Sequence, residues 1–266
     1  MKKTIFFALL CAIGCILPRL SAVEAYTDNQ WVVNKIMFAV DNNKPIPEPT
    51  AFRLNLTDKA LIVEIKLEGK HWKDFQKSKF NLKKNVWPME ESVEIFLDPG
   101  RSCSKYVQIA AGVDGNVFDN RYVKKAWNAK WTVKRLDFKG GVTFQFNIPF
   151  DQEFKKPEIG EIWGFNICRN VKHTSPYFST FAKVGTYFNT PAKFAELRFG
   201  TAKSFHAANQ QKNRAMLAGV VREIKALGFT AHFAPRLKKL ENDCNELEIQ
   251  AVKDELKLMK AMKEIK

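Results

Sequence analysis

Apolar and polar residues alternate in short runs along the chain between residues 31 and 199. A period of two is expected of strands that bury one face of a sheet and expose the other. Five runs show it most clearly, and their predicted inward positions are Phe52, Leu54 and Leu56; Leu61, Val63, Ile65 and Leu67; Val93, Ile95 and Leu97; Val142, Phe144, Phe146 and Ile148; Trp163, Phe165 and Ile167. In the third run, Glu94 and Phe96 are predicted to point outward.

Residues typical of turns separate these runs, namely Asp58-Lys59, Pro99-Gly100, Asp114-Gly115, Gly140-Gly141 and Pro157. Many short strands broken in this way are typical of an antiparallel β-sandwich. We therefore predict a mainly β fold with one sandwich domain over residues 26–200. Three tryptophans, Trp31, Trp131 and Trp163, are predicted to lie in its core.

The pattern changes to helical spacing after residue 200. A first helix is predicted over residues 203–227, with Gly228 at the position of a C-terminal cap. A second helix is predicted from near Pro235, and the register of its apolar stripe shifts part-way along. The result is a C-terminal α-helical extension of two helices over residues 201–266. The stripe fits either a short coiled coil or a helix that lies on the sandwich or on the neighbouring helix. A partner chain is a further candidate for covering the apolar faces of the helices.

The N-terminus has the order of features of a secretory signal peptide. A basic start precedes an apolar run over residues 5–17, and a small residue stands at Ala25. We predict a signal peptide over residues 1–25, because the run is shorter than the about 20 apolar residues of a membrane span. Export to the periplasm or the exterior is expected. Attachment of lipid at Cys15 is the less favoured alternative.

The chain is strongly basic, with 43 Lys and Arg against 28 Asp and Glu and a formal net charge of +15. Such a charge makes nucleic acid a candidate partner, because phosphate contacts with Lys and Arg release counterions. Export and the spread of the basic residues over both halves argue against it. They favour solubility or attraction to anionic polymers and surfaces, so no nucleic-acid partner is predicted.

Three cysteines remain after removal of the signal peptide: Cys103, Cys168 and Cys244. An odd number cannot pair completely within one chain. A bridge from Cys103 to Cys168 is an option in an oxidising compartment, although the spacing does not require it. No Cys and His cluster has the spacing of a zinc site. The fold is therefore expected to depend on its hydrophobic core, and no required cofactor is predicted.

Five motifs follow one another across the predicted sandwich: "NVWPMEESVEIFLDP", "KYVQIAAGVDGNVFDN", "VTFQFNIPF", "GEIWGFNICRN" and "FNTPAKFAELRF". In wording and order they resemble the family 9 carbohydrate-binding modules, and the resemblance covers residues 30–200. It implies a β-sandwich that binds a poly- or oligosaccharide between aromatic faces. It also implies an accessory role beside glycoside hydrolases and, as an optional structural ion, calcium.

The resemblance implies a sugar site built from seven residues, namely Trp87 as the aromatic platform, Glu94, Gln108, Arg121, Asn166 and Arg169 as hydroxyl partners, and Phe181 as the opposing wall. A sugar ring packs its apolar face on an aromatic ring, while its hydroxyls need hydrogen-bond partners. Where the family commonly has a tryptophan late in the domain, this chain reads "YFSTFAKVGTYF". Phe181, or else Phe178, would take that place.

Several of these residues also have a purely structural interpretation. Trp87 could cap the edge of the sandwich, and Glu94 could pair with a Lys or Arg of a neighbouring strand. Asn166 and Arg169 could satisfy loop carbonyls. Three further carboxylates are expected to hydrogen-bond local backbone in turns: Asp98, Asp114 and Asp119. No loop shows a recognisable pattern of calcium ligands.

Catalysis within this chain is not predicted. Glycoside cleavage needs two carboxylates that flank the scissile bond. Glu90, Glu91 and Glu94 cluster near the predicted site, but adjacent positions of a strand point to opposite faces.

The favoured prediction is an exported, non-catalytic carbohydrate-binding protein associated with polysaccharide degradation. Two alternatives from other classes stay open. One is a ligand-free assembly module that uses its C-terminal helices to join a partner or a second copy. The other, less favoured, is a haem-binding sandwich in which Met89 acts with His71 or His173.

Overall fold

The computed structural model describes residues 24–34, 37–46, 49–121, 130–151, 154–172 and 178–264. The predicted signal peptide lies outside these residues except for its last two, Glu24 and Ala25, which begin the first strand. Cys15 and His173 also lie outside them. Within the described residues, fifteen strands form two sheets, and four α-helices accompany them.

The larger sheet contains ten strands. Eight follow one another in space in the order β4 (Pro45–Ile46), β3 (Met37–Ala39), β14 (Phe178–Thr180), β13 (Ile162–Asn170), β8 (Ser92–Asp98), β9 (Val107–Gly112), β10 (Asn116–Arg121) and β7 (Lys83–Lys84). The other two are β15 (Ala195–Arg198), which pairs with β13, and β1 (Glu24–Tyr26), which pairs with β15. The β1–β15 and β7–β10 pairs are parallel, and the other pairs of this sheet are antiparallel.

The smaller sheet contains five antiparallel strands in the spatial order β11 (Thr132–Phe138), β12 (Gly141–Pro149), β6 (Ala60–Glu68), β5 (Thr50–Leu56) and β2 (Val32–Asn34). A short helix, α1 (Trp72–Lys77), follows β6 and packs beside β12. The predicted turns at Asp58-Lys59 and Gly140-Gly141 join β5 to β6 and β11 to β12.

One hydrophobic core lies between the two sheets. Every inward position predicted from the alternation is buried there except Leu56, which is half-buried. The ring of Phe52 from the smaller sheet meets that of Phe165 from the larger one edge-on, with 5.6 Å between the ring centroids. The predicted antiparallel β-sandwich is therefore confirmed.

Two of the three tryptophans that were predicted to lie in the core are buried. Trp131 and Trp163 are buried as predicted. Trp31 is not, because it precedes β2 at the solvent face of the smaller sheet, where the guanidinium of Arg53 lies 4.8 Å from its ring centroid. Arg53 alternates with the inward residues of β5, and its outward position explains why the indole beside it meets solvent.

The optional bridge between Cys103 and Cys168 does not form, and both cysteines are free. Cys103 lies in an exposed turn after β8. Cys168 lies buried in β13, where its sulfur contacts the side chains of Asn166 and Thr180. Burial raises the pKa of the Cys168 thiol well above its usual value, so this side chain stays a neutral thiol.

The C-terminal extension consists of three helices rather than two: α2 (Ala202–Leu227), α3 (Thr230–Asn242) and α4 (Glu246–Glu264). α2 ends as predicted at Gly228, whose φ of 76° is readily adopted by glycine. Pro235 lies inside α3 instead of near its start. The predicted shift of the apolar stripe marks a real break, because the Asn245 side chain accepts hydrogen bonds from the first free N–H groups of α4.

The three helices bury their apolar faces against one another. Their shared core consists of Leu217, Val220, Ile224, Phe233, Leu240, Ile249, Val252 and Leu256. The start of α2 rests on the sandwich, since the ring of Phe205 packs edge-on against Tyr26 and Asn209 Nδ2 donates to the carbonyl of Gly160. Helix-mediated self-association stays a prediction. None of the helices in the described part of the chain has the length and apolar content needed to cross a membrane.

Replacing Phe233 with alanine should unfold the helical bundle selectively. Phe233 is fully buried in the bundle core, and loss of such a ring costs about 3–5 kcal/mol. The helical circular dichroism signal should be lost at a lower temperature than in wild type. The near-ultraviolet signal of the sandwich tryptophans should keep its wild-type transition temperature. A single transition that shifts for both signals would show that the two cores unfold as one unit.

Candidate functional site

An open groove of about 390 Å³ lies on the outer face of the larger sheet. Its floor consists of side chains from three adjacent strands: Asn170 of β13, Glu94 of β8 and Gln108 of β9. These positions alternate with residues of the inner core, so their side chains point away from the smaller sheet. The floor spans two strand spacings, about 10 Å.

Aromatic side chains line the groove on both sides of this floor. Trp87 lies on the β10 side, where its ring packs edge-on against Phe118 with 5.2 Å between the ring centroids. Phe178 of β14 lies on the β13 side, and its ring packs edge-on against Phe188 at 5.9 Å. Tyr187 also lines the groove and is exposed. The braced rings of Trp87 and Phe178 are thus separated by the polar floor.

The segment that carries Tyr187 and Phe188 is anchored at both ends. Before it, Gly185 donates its backbone N–H to Asn43 Oδ1. After it, the Asn189 side chain hydrogen-bonds the hydroxyl of Tyr106. These bonds hold the segment with Tyr187 and Phe188 against the larger sheet. The aromatic wall on the β13 side of the groove is therefore part of the folded sandwich.

The floor carboxylate is held by two neutral amides. Gln108 Nε2 donates to Glu94 Oε2 at 2.7 Å, and Asn170 Nδ2 donates to Glu94 Oε1 at 3.1 Å. Asn170 Nδ2 also lies 2.9 Å from Ser92 Oγ, whereas its Oδ1 is buried with no hydrogen-bond partner in the described chain. The alternative prediction that Glu94 pairs with a neighbouring Lys or Arg is not met, since its described hydrogen-bond donors, Gln108 and Asn170, are uncharged.

Burial dominates the electrostatics of Glu94. It raises the pKa of the carboxyl above its usual value of 4.5, and the hydrogen bonds from Asn170 and Gln108 only partly oppose this. Among the described residues that line the groove there is no Lys or Arg. The groove of this basic chain is therefore neutral or acidic.

Replacing Glu94 with glutamine should change how stability depends on pH. Below about pH 4.5 the carboxyl is protonated in both the folded and the unfolded chain. As the pH rises, the unfolded chain ionises first, so wild-type stability falls until the folded carboxyl ionises at its raised pKa. Glutamine does not titrate. Urea unfolding of both proteins from acidic to neutral pH should show the variant gaining relative stability, and a constant difference would contradict the raised pKa.

Phe181 does not line the groove, and this corrects its assignment as the opposing wall. It is 2% exposed, whereas Phe178 is 48% exposed. In β14, Phe178 pairs with Asn170 and shares its outer face. Phe181 lies three residues further and packs in the inner core, with its ring centroid 4.8 Å from that of Phe52. The alternative wall, Phe178, is the residue that the fold brings to the groove.

Asn166 lies on the correct face of β13 but does not reach the groove. Its Oδ1 accepts hydrogen bonds from Thr180 Oγ1 at 2.9 Å and from the backbone N–H of Ala182 at 3.0 Å. The Asn166 side chain is fully buried beneath the segment around Thr180 and Ala182, to which it is hydrogen-bonded. The role of Asn166 is therefore structural, but its contacts are with a hydroxyl, a backbone N–H and the Cys168 sulfur rather than with the predicted loop carbonyls.

Arg169 points into the interior between the sheets, because it alternates with Asn170 along β13. Its Nε donates to Glu91 Oε1 at 2.8 Å, and its guanidinium also donates to the carbonyl oxygens of Pro49 and Glu68 and to Thr50 Oγ1. It is 1% exposed. Arg169 therefore ties the two sheets together and is removed from the sugar site.

Arg121 is likewise on the other face of its sheet. It ends β10 opposite Val107, whose side chain belongs to the inner core, whereas Gln108 faces the groove. Arg121 is absent from the residues that line the groove. Of the seven predicted residues, the fold brings together Trp87, Glu94 and Gln108, and their role in sugar binding stays a prediction.

Several groove residues were missed by sequence reasoning, among them Asn170 and Tyr187. Asn170 could have been found by extending the outward alternation of β13 beyond Asn166. Tyr187 had no such signal, because it lies outside the strands and reaches the groove only through the folded 185–189 segment.

The turn carboxylates behave largely as expected. Asp98 accepts from Ser102 and Cys103, and Asp114 accepts from the backbone N–H of Asn116. Asp119 instead lies in β10 and accepts from the indole N–H of Trp131. No group of three or more His, Cys, Asp or Glu side chains within the described ranges is arranged to hold a metal ion. Calcium bound through other oxygens stays a prediction.

The haem alternative gains no support from the groove. Met89 lies exposed at its rim, but His71 lies just before α1 and is not among the lining residues. The other proposed ligand, His173, falls outside the described residues. The described chain therefore does not show Met89 and a histidine facing one ligand.

The solved structures similar to this chain include two complexes of carbohydrate-binding modules and a proposed carbohydrate-binding protein. A family 9 carbohydrate-binding module from Caldicellulosiruptor kristjanssonii, in complex with cellotriose, is 17% identical with a TM-score of 0.47, over 69% of this chain and 97% of the module. A complex of such a module with glucose gives 16% identity and a TM-score of 0.44, over 66% of this chain and 95% of that one.

A proposed carbohydrate-binding protein from Bacteroides uniformis ATCC 8492 is 14% identical with a TM-score of 0.45, over 68% of this chain and 100% of that one. No protein-family model matches the chain, and no curated protein matches it. What the groove of this chain could bind follows from its own geometry.

Proposed function

We propose that this protein is a non-catalytic carbohydrate-binding protein and that the groove holds a short segment of a glycan. The observation that carries the proposal is the arrangement of two braced aromatic walls on either side of a polar floor. A sugar ring has the matching chemistry, because its C–H faces are apolar and its edge carries hydroxyls. Trp87 and Phe178 would contact the faces, and the floor would bind the edge.

The hydrogen-bond inventory of the floor supports a ligand rich in hydroxyls. A carboxylate has about four lone-pair sites, and the bonds from Gln108 and Asn170 account for two of those on Glu94. Glu94 can therefore accept from hydroxyl groups of a ligand. The groove volume also falls in the range of about 300–1,000 Å³ that is usual for small-molecule sites.

The wider biological role is also a proposal. Export by the predicted signal peptide would place the groove where it meets extracellular polysaccharide. Association with polysaccharide degradation would then follow from holding a glycan close to a hydrolytic partner. The helical bundle would serve as a separate attachment unit, since it has its own core.

Alanine substitution at Phe178 and at Phe181 should separate binding from folding. Phe178→Ala removes an exposed wall and should weaken retention in affinity electrophoresis on glycan-containing gels, with little change in melting temperature. Phe181→Ala empties part of the inner core and should cost about 3–5 kcal/mol of stability. If Phe178→Ala were retained as strongly as wild type on every glycan that wild type binds, Phe178 would not be a wall of the site.

A further inference from the structure

We infer that the groove prefers sugars that carry a protonated amino group over their neutral counterparts. The inference rests on the proposed function and names the class of substrate: glycans that contain free amino sugars. It is drawn from a buried carboxyl group that has no Lys or Arg among the described residues of the groove and is flanked by aromatic rings. An alkylammonium group next to a sugar ring is the ligand that this combination fits.

The first step concerns the missing countercharge. Glu94 is 2% exposed, and its hydrogen bonds come from the neutral amides of Gln108 and Asn170. Buried carboxylates are costly unless a cation or several donors compensate them. The nearest titratable neighbour on β13, Cys168, is a buried thiol that carries no positive charge. A ligand ammonium would supply the charge that the described part of the groove lacks.

The second step concerns the walls. Aromatic ring faces attract cations, and the attraction grows when water is excluded. Trp87, Phe178 and Tyr187 all line the groove and expose ring surface to it. A sugar ammonium would therefore meet π-faces at the sides and a carboxylate below. The adjoining C–H face of the ring would pack on the same walls.

The third step concerns the net charge of the whole chain, which by itself would favour acidic sugars over amino sugars. A formal charge of +15 attracts anionic glycans over long distances. At physiological salt, however, exposed charges are screened beyond about 8 Å. Glu94 carries the one carboxyl among the described residues that line the groove, and in its ionised form it would repel the carboxylate of a uronic acid. The expected order of affinity is thus amino sugar, then neutral sugar, then acidic sugar.

The test compares matched trisaccharides on the full-length mature protein by isothermal titration calorimetry at neutral pH. The probes are β-1,4-linked triglucosamine, cellotriose and the fully N-acetylated trimer, which share a linkage and carry an amine, a hydroxyl or a neutral acetamide, respectively, on carbon 2 of each ring. Triglucosamine should bind about tenfold more tightly than cellotriose. In Glu94→Gln the ratio of the two dissociation constants should fall toward one. The matched control, Asp58→Asn, removes an exposed carboxylate outside the groove and should keep the ratio.

The outcomes separate this inference from the proposed function. If cellotriose binds and triglucosamine binds no more tightly, the ammonium preference is overturned and the carbohydrate-binding function stands. If choline displaces triglucosamine and no neutral sugar binds, the groove is a cation site and both are overturned. If Glu94→Gln keeps the full preference, the carboxylate is not its source, and the inference fails.

Discussion

Replacing Trp87 with alanine is expected to weaken glycan binding about 30-fold while the sandwich remains folded. The indole is 39% exposed at the groove and rests on Phe118. A sugar that stacks on it would bury about 80 Å² of apolar surface, which at about 25 cal/mol per Å² corresponds to about 2 kcal/mol. Calorimetry with a glycan that wild type retains, together with thermal unfolding, measures both parts of this expectation.

The chain offers a matched control for this experiment. Trp31 is 38% exposed, almost the same as Trp87, but lies at the solvent face of the other sheet. Trp31→Ala should leave glycan affinity unchanged, because it removes an equally exposed indole far from the groove floor. Equal affinities of Trp87→Ala and wild type would show that Trp87 is not the platform. Equal losses in both variants would point to a non-specific effect of removing surface aromatic area.

Replacing Arg169 with methionine is expected to destabilise the sandwich by about 3–5 kcal/mol, because it removes the guanidinium that pairs with a buried carboxylate. The guanidinium lies between the sheets and donates to Glu91 as well as to backbone oxygens of the β5 and β6 ends. Both partners of the ion pair are almost fully buried, with side chains 1% and 4% exposed. Urea unfolding with linear extrapolation gives the change in the free energy of unfolding.

A double substitution separates the ion pair from the rest of the arginine's contacts. Glu91→Gln in the Arg169→Met background removes the buried negative charge and should recover part of the lost stability. Glycan affinity, measured where each variant is folded, should match that of wild type. A large loss of glycan affinity in a fully folded Arg169→Met protein would indicate that Arg169 takes part in sugar binding. An unchanged free energy of unfolding would show that the pair contributes nothing to holding the sheets together.

The strands of the sandwich could be predicted because one face of each had to be apolar. The alternation in "SVEIFLD" placed Val93 and Ile95 inward and Glu94 outward, and the structure has this arrangement. Helix α2 was equally predictable from its spacing and from Gly228. The third helix was missed because the change of register in the apolar stripe was interpreted as a shift within one helix.

The candidate site was only partly predictable. Glu94 and Gln108 lie in strands whose alternation implies which way they point, whereas Trp87 lies outside the strands and was assigned from the resemblance alone; the three meet in the groove. Asn166 and Arg169 lie three residues apart in one strand, so they must point to opposite faces. A resemblance that assigned both to one site therefore conflicted with the geometry of the strand.

By itself the sequence determined the two-sheet architecture, the inward face of each main strand and the basic charge of the chain, because periodicity and composition are local properties. Only the tertiary structure decided which aromatic rings form the second wall, since Phe178 and Tyr187 reach the groove through pairing and loop anchoring across distant segments. It also decided the surroundings of Glu94. Whether an outward carboxylate meets water, a cation or two amides depends on neighbours that are far away along the chain.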